Sequence, residues 1–264
     1  MKKTLIGTIV LVILVLAVLA LPALAQGPTN LVQNGSFEDG FVEGLGVANN
    51  WEHFASGNVD PGFYDDTWSL VVADGEHAQL IELIDSTATD TYAGIYQTVA
   101  LQPGQAYRLS FQGLVRSTEG DVNDSGWGYR MQYAIDQTGN TDWEAVTNWV
   151  ELPWDEEPRT APANGTAYVM HTEVTTFTAT TDTATLFFRA WKKWANGNEG
   201  NYDLDAVELI PVDATATTTG LPETGGTQNT TSDWGVIAGG ASAAFLALLL
   251  AGAFINQKRR REEL

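Results

Sequence analysis

Ala106-Tyr107-Arg108-Leu109-Ser110-Phe111-Gln112-Gly113-Leu114-Val115-Arg116 alternates apolar with polar residues over most of its length. That period of two is the repeat of a β-strand half-buried in a core, whereas an amphipathic helix would space its apolar positions by three and four. As a strand it puts Tyr107, Leu109, Phe111 and Val115 on one face, and Arg108, Ser110, Gln112, Leu114 and Arg116 on the other. Residues 127–135 divide in the same way: Trp127, Tyr129, Met131, Tyr133 and Ile135 stand against Gly128, Arg130, Gln132 and Ala134. Residues 185–194 give Leu186, Phe188 and Ala190 inward, with Phe187, Arg189, Trp191 and Lys193 outward.

Around these three segments lie short runs rich in Val, Thr, Tyr, Phe and Trp, punctuated by Gly, Pro, Asn and Asp. The pattern predicts strands over 30–33, 68–72, 78–84, 93–100, 106–116, 127–135, 174–178, 185–194 and 202–210. No long stretch has helical period, so the class is all-β. Without a visible internal repeat, short strands in this length suit a β-sandwich or jelly roll better than a propeller or barrel.

Both ends read differently. Lys2 and Lys3 precede an unbroken apolar run that closes on Ala23-Leu24-Ala25, a small-x-small cleavage pattern, so residues 1–25 read as a secretory signal peptide. The chain has no cysteine, which excludes a lipid-anchored lipoprotein and leaves stability to the core. At the other end Leu221-Pro222-Glu223-Thr224-Gly225 is followed by an uncharged apolar segment over 234–256 and then Lys258-Arg259-Arg260-Arg261. The apolar segment is long enough to span a bilayer, and the basic tail over 257–264 fixes the C-terminus inside. The polar stretch 214–233 reads as a flexible linker that exposes the five-residue motif. These three elements in order resemble the sorting signal of sortase substrates, surface proteins of Gram-positive and related bacteria. The resemblance implies that a sortase attacks the Thr224 carbonyl, releases the chain from Gly225 onward and passes Thr224 to an amine of the cell envelope. The protein would be a single-pass membrane precursor first and a surface-anchored protein afterwards. A plain single-pass membrane protein with an accidental motif is the alternative.

Between the ends lies one domain, 26–213. The chain as a whole carries 33 acids and 13 bases, and removal of the two ends takes away Asp233, Glu262 and Glu263 and six of the bases. An exposed part this acidic has no basic footprint for phosphates, which excludes nucleic acid and anionic membrane as partners.

The opening Asn34-Gly35-Ser36-Phe37-Glu38, the middle segments Asp74-Gly75-Glu76-His77-Ala78-Gln79 and Ala93-Gly94-Ile95-Tyr96-Gln97, and the closing Asp203-Leu204-Asp205-Ala206-Val207 are similar to carbohydrate-binding modules of the galactose-binding-like jelly-roll group. Pro103-Gly104-Gln105-Ala106-Tyr107 belongs to the same resemblance. It implies a jelly-roll sandwich and a structural calcium ion held by the Ser36 carbonyl, Glu38, Asp74 and Asp205. A second acidic loop, Asp121-Val122-Asn123-Asp124-Ser125-Gly126, starts like a calcium-binding loop but has Gln132 where the bidentate acid belongs, so it reads as an ordinary turn.

Five of the seven bases left in the domain, Arg108, Arg116, Arg130, Arg189 and Lys193, fall on the outward strand sets. If those strands share a sheet, Gln112, Arg116, Arg130, Gln132, Arg189 and Trp191 form one face suited to a glycan. A flat aromatic stacks on a pyranose ring, and guanidinium and amide groups bond its hydroxyls. The equal alternative is a solvated charged face that balances its acids. The three histidines, His53, His77 and His171, have no ligand spacing, and neither a nucleophile elbow nor a phosphate loop is present. The expected function is therefore non-catalytic binding of a glycan or glycoprotein. The alternatives are a structural or adhesive protein that contacts other proteins, and a hydrolase with an unrecognised carboxylate pair.

Overall fold

The computed structural model describes residues 29–160 and 168–213. The signal peptide, the linker with Leu221, Pro222, Glu223, Thr224 and Gly225, the apolar span and the basic tail lie outside the described residues. Among the described residues no helix is long and apolar enough to cross a membrane. The chain divides into units Met1–Thr217 and Thr218–Leu264, and every described residue belongs to the first.

The described strands, in chain order, are β1 (Glu52–Ala55), β2 (Gly62–Asp66), β3 (Ala78–Leu83), β4 (Thr91–Ala100), β5 (Ala106–Ser117), β6 (Tyr129–Asp136), β7 (Val150–Glu151), β8 (Glu156–Pro158), β9 (His171–Thr178), β10 (Thr183–Lys192) and β11 (Gly200–Val212). They form two sheets, one ordered β1-β4-β10-β6-β7 and the other β2-β3-β11-β5-β8, with β9 also pairing β5. From β3 to β6 each successive strand joins the opposite sheet, the crossing habit of a jelly roll. All pairings are antiparallel except β5 with β8.

The core is the space between the sheets. Tyr107, Leu109, Phe111 and Val115 of β5, Tyr129, Met131 and Tyr133 of β6, and Leu186, Phe188 and Ala190 of β10 all enter it, as the alternation predicts. Phe111 joins the layers: its ring lies 4.9 Å from Phe188 and 5.3 Å from Tyr133, both edge-on. Each such side chain contributes roughly 1.5–3 kcal/mol by leaving water, which compensates for the absence of disulfides.

Several local expectations are corrected. Residues 30–33 form no strand: Asn30 bonds β11 mainly through its side chain, accepting from Leu209 N at 2.8 Å and donating to Val207 O at 2.9 Å. Asn34, at φ 51°, then turns the chain away. Residues 68–72 form a turn, because Asp66 Oδ1 accepts from Trp68 N at 2.9 Å and Trp68 O from Val71 N at 2.8 Å. Its Trp68, Leu70 and Val71 pack with Leu114 and Tyr168 as a separate cluster. Trp127, expected inward, is 47% exposed at φ 60°, since it follows the left-handed Gly126 that ends a one-turn helix, α1 (Val122–Ser125). Asp121 caps α1 through Asn123 N, so the acidic loop that reads as a turn in the sequence winds into one helical turn. Strands β1, β2, β7 and β8 were not anticipated.

Candidate functional site

The expected single face divides between the two sheets. β5 belongs to the sheet with β11, while β6 and β10 pair in the other. Gln112 and Arg116 are therefore not brought together with Arg130, Gln132, Arg189 and Trp191. Arg116 is also not outwardly free. It is 4% exposed, with Nε 2.8 Å and Nη2 2.9 Å from the two oxygens of Asp203, and Nη2 3.1 Å from Asp66. Its guanidinium lies 5.3 Å from the Trp68 ring. Asp203 is fully buried, and burial pushes its carboxyl up to about 7 against the pull of Arg116. Gln112 stands opposite Asp205 on one side and Thr172 on the other.

The remaining four residues do share the outer face of the five-stranded sheet. The register sets Tyr92, Trp191 and Arg130 in one row and Gly94, Arg189, Gln132 and Glu151 in the next. Much of this face is covered by the chain between β6 and β7, a cover that the sequence reading missed. There Trp143 stacks on Phe54 at 5.0 Å and 20°, Trp149 meets Phe187 edge-on at 5.9 Å, and Val146 fills the space between. Phe54, Ala134, Val146 and Phe187 thus make a second small core outside the sandwich. Gly94 permits it, because a Cβ there would come within 2.4 Å of the Phe54 ring and 2.3 Å of Phe188 O. A signal for the cover was present in Trp143, Val146 and Trp149, apolar residues at three-residue spacing in an otherwise polar stretch.

Arg130 is built into this assembly. It is 2% exposed, bonds Glu151 through Nε at 2.9 Å, and donates through Nη1 and Nη2 to the carbonyls of Trp154 and Leu152. Trp127 lies over it at 4.6 Å. Arg189 sits between two rings, 3.7 Å from Trp149 and 4.1 Å from Tyr92, and donates Nε to Gln132 Oε1 at 2.7 Å. Burial pulls its pKa down to about 10, opposed only by Tyr92. Trp191 is half-buried, stacks on Tyr92 at 5.8 Å and 25°, donates Nε1 to Asp90 at 3.0 Å and carries Lys193 Nζ 4.4 Å from its ring. Beside the part roofed by Trp143 and Val146, the half-buried rings of Tyr92, Trp149 and Trp191 stand around the buried Arg189–Gln132 pair. Aromatic surface next to fixed planar donors is the composition that orients a sugar ring.

The four expected calcium-site residues border one turn, residues 73–77, at a corner of the other sheet. A bulge between Asp205 and Glu208 of β11, with Ala206 at φ 50°, opens the ladder there. Asp205 is buried, and its Oδ2 accepts from Ala73 N at 2.7 Å and Asp74 N at 2.9 Å, while Oδ1 accepts from Ala206 N at 2.5 Å. Burial outweighs these three bonds and raises its carboxyl to about 6. Glu38 Oε1 takes Glu76 N and His77 N, each at 2.8 Å. The two carboxylates clamp the same turn from both ends, and Ser36 and Asp74 line one pocket beside it with Asp39 and Ala206. Gly35 lets the opening segment reach the bulge, since a Cβ would lie 2.1 Å from Val207 O. The donors are all oxygen, as calcium requires. Among the described residues no three acids or histidines gather closely enough to hold an ion alone, so carbonyl and water oxygens would complete such a site.

The histidines are apart. His53 stands edge-on to Phe63, His77 bonds Asp65 at 2.8 Å, and His171 stacks on Trp154.

No family model matches the chain, and no curated protein matches it. Among solved structures it is similar to TmCBM61 in complex with β-1,4-galactotriose, at 15% identity and TM-score 0.42, over 70% of this chain and 99% of that one. It is also similar to the CBM22-1 xylan-binding domain from Paenibacillus barcinonensis Xyn10C, at 12% identity and TM-score 0.40, over 72% and 99%. A third likeness is to the enzymatically active domain of bacteriophage CBA120 tailspike protein 4, at 14% identity and TM-score 0.45, over 69% of this chain but 21% of that one. These are likenesses only, and the reading of the site rests on its own residues.

Proposed function

We propose that the chain is an exported, envelope-anchored, non-catalytic protein that binds a glycan through the open end of the outer face of its five-stranded sheet. The observation that carries this reading is the adjacency of Tyr92, Arg189, Gln132 and Trp191 in neighbouring register positions. Rings and fixed donors on one rigid sheet need little ordering on binding. Export is supported by the signal-like residues 1–25, and anchoring by Leu221-Pro222-Glu223-Thr224-Gly225 with the apolar and basic segments behind it. A sortase and an envelope amine are the partners that this order implies. Calcium at the Ser36, Glu38, Asp74 and Asp205 corner is the structural cofactor of the same reading, supported by the oxygen donors clamped there.

A protein-contact role is favoured by β9, which pairs β5 and exposes alternate residues Thr172, Val174, Thr176 and Thr178. Such a strand can accept another strand. A glycan array separates the two: binding to defined oligosaccharides supports the proposal, and a protein that ignores every glycan but retains a protein partner refutes it. Product analysis of each bound glycan tests the non-catalytic part, since shortened products would make it a hydrolase.

A further inference from the structure

Arg189 is bonded unlike the other arginines of the domain. Arg108, Arg116, Arg130 and Arg159 each pair with an acid. Lys192 is held by the carbonyls of Asn196 and Asn198. Arg189 has no acidic partner among the described residues, in a chain with 33 acids against 13 bases. It is only 8% exposed. A buried guanidinium without a counter-charge is costly, and domains this acidic usually supply one.

The geometry leaves one edge of the group open. Its two faces are covered by Tyr92 and Trp149, and its Nε is committed to Gln132. Among the described residues neither Nη makes a hydrogen bond, yet neither is among the polar atoms sealed from solvent without a partner. What remains is the end-on fork of Nη1 and Nη2, held in place by rings on both sides. Two parallel N–H donors in a fixed plane match the two oxygens of a carboxylate. The Gln132 amide nitrogen also has no hydrogen-bond partner among the described residues. Lys193, over Trp191, is a second cation there without an acid.

We infer that the glycan bound at this face carries a carboxylate, and that the Nη1–Nη2 fork of Arg189 grips a uronic-acid residue. The inference rests on the glycan-binding reading and narrows it. The formal charge of -20 repels a densely anionic chain, so the ligand is a largely neutral glycan with occasional uronic acids. Ligand carboxylate supplies the counter-charge that the fold withholds.

The test is an array of matched oligosaccharide pairs, each uronic-acid-bearing member beside its carboxyl-reduced twin, probed with the wild-type protein and followed by titration of the pairs that bind. The acidic member should bind at least about tenfold tighter, and more weakly as salt rises. Arg189→Gln should lose that preference, and so should Gln132→Glu, which gives Arg189 a carboxylate of its own. Equal binding of both twins, or tighter binding of the reduced one, overturns the carboxylate inference and leaves glycan binding standing. If no oligosaccharide of either kind binds, both fall, and capture of an acidic peptide instead would identify the fork's true ligand class. The comparison on wild-type protein decides the matter even if a variant fails to fold.

Discussion

Replacing Arg130 by alanine separates the architecture from what its strand pattern alone would suggest. Read as an outward residue on a half-solvated strand, Arg130 should be dispensable for folding. In the structure it is 2% exposed and ties β6 to the chain after β7, bonding Glu151 and the carbonyls of Leu152 and Trp154. Glu151 would lose little, because its side chain is 38% exposed and water can replace the guanidinium. The two carbonyls lose a buried charged donor, and each unsatisfied buried group costs about 1–3 kcal/mol. Adding the packing lost beneath Trp127, Arg130→Ala should cost about 3–5 kcal/mol. For a domain of this size that lowers the melting temperature by about 10 °C, taking roughly 2–4 °C per kcal/mol. Differential scanning calorimetry measures it, with Lys193→Ala expected to shift the midpoint by less than about 2 °C. An Arg130→Ala protein that melts within about 2 °C of wild type would refute the reasoning, because the side chain would then be solvated as the strand alternation alone implies.

Asp203 and Asp205 have folded-state carboxyl values raised by burial to about 7 and about 6, so the folded protein holds their protons more tightly than the unfolded chain does. The stability they contribute is complete at low pH and lost as pH rises through those values; in chelator the melting temperature should rise as pH is lowered from about 8 to 5, and a fall would contradict the burial argument. If calcium occupies the corner, chelation at neutral pH should lower the melting temperature and Asp205→Ala should abolish the difference, whereas identical curves with and without chelator remove the metal. Thr224→Ala should leave the protein extractable by detergent alone, while wild type resists such extraction; a wild type that is itself extracted would end the anchoring proposal.

What could be read directly from the residues was the alternation. The core sets of β5, β6 and β10 follow from side-chain period because a strand buried on one face must keep its apolar residues in phase. Sheet membership could not be read that way. Nothing local in Ala106–Ser117 says that it pairs with β11 and not with β6, so Gln112 and Arg116 were grouped with residues of the other sheet. The same limit hid the cover, since Trp143 and Trp149 acquire their meaning from Phe54 and Phe187, far away in sequence. Residues 68–72 look like a strand by composition, but the Asp66 side chain captures Trp68 N and starts a turn. At the corner beside residues 73–77 the sequence motifs bring Glu38 and Asp205 to opposite ends of one turn. Asp205 reaches that turn from the β11 bulge, which no local pattern announces.

The central claim is that a glycan is bound on the outer face of the five-stranded sheet, and calorimetric titration of one array-positive glycan into three proteins tests it most directly. Trp191→Ala should cost about 2 kcal/mol of binding, roughly thirtyfold in affinity, with folding retained. Gln112→Ala, on the other sheet, should bind as wild type does. Full binding by Trp191→Ala together with loss of binding by Gln112→Ala would place the site on the opposite sheet and contradict the account.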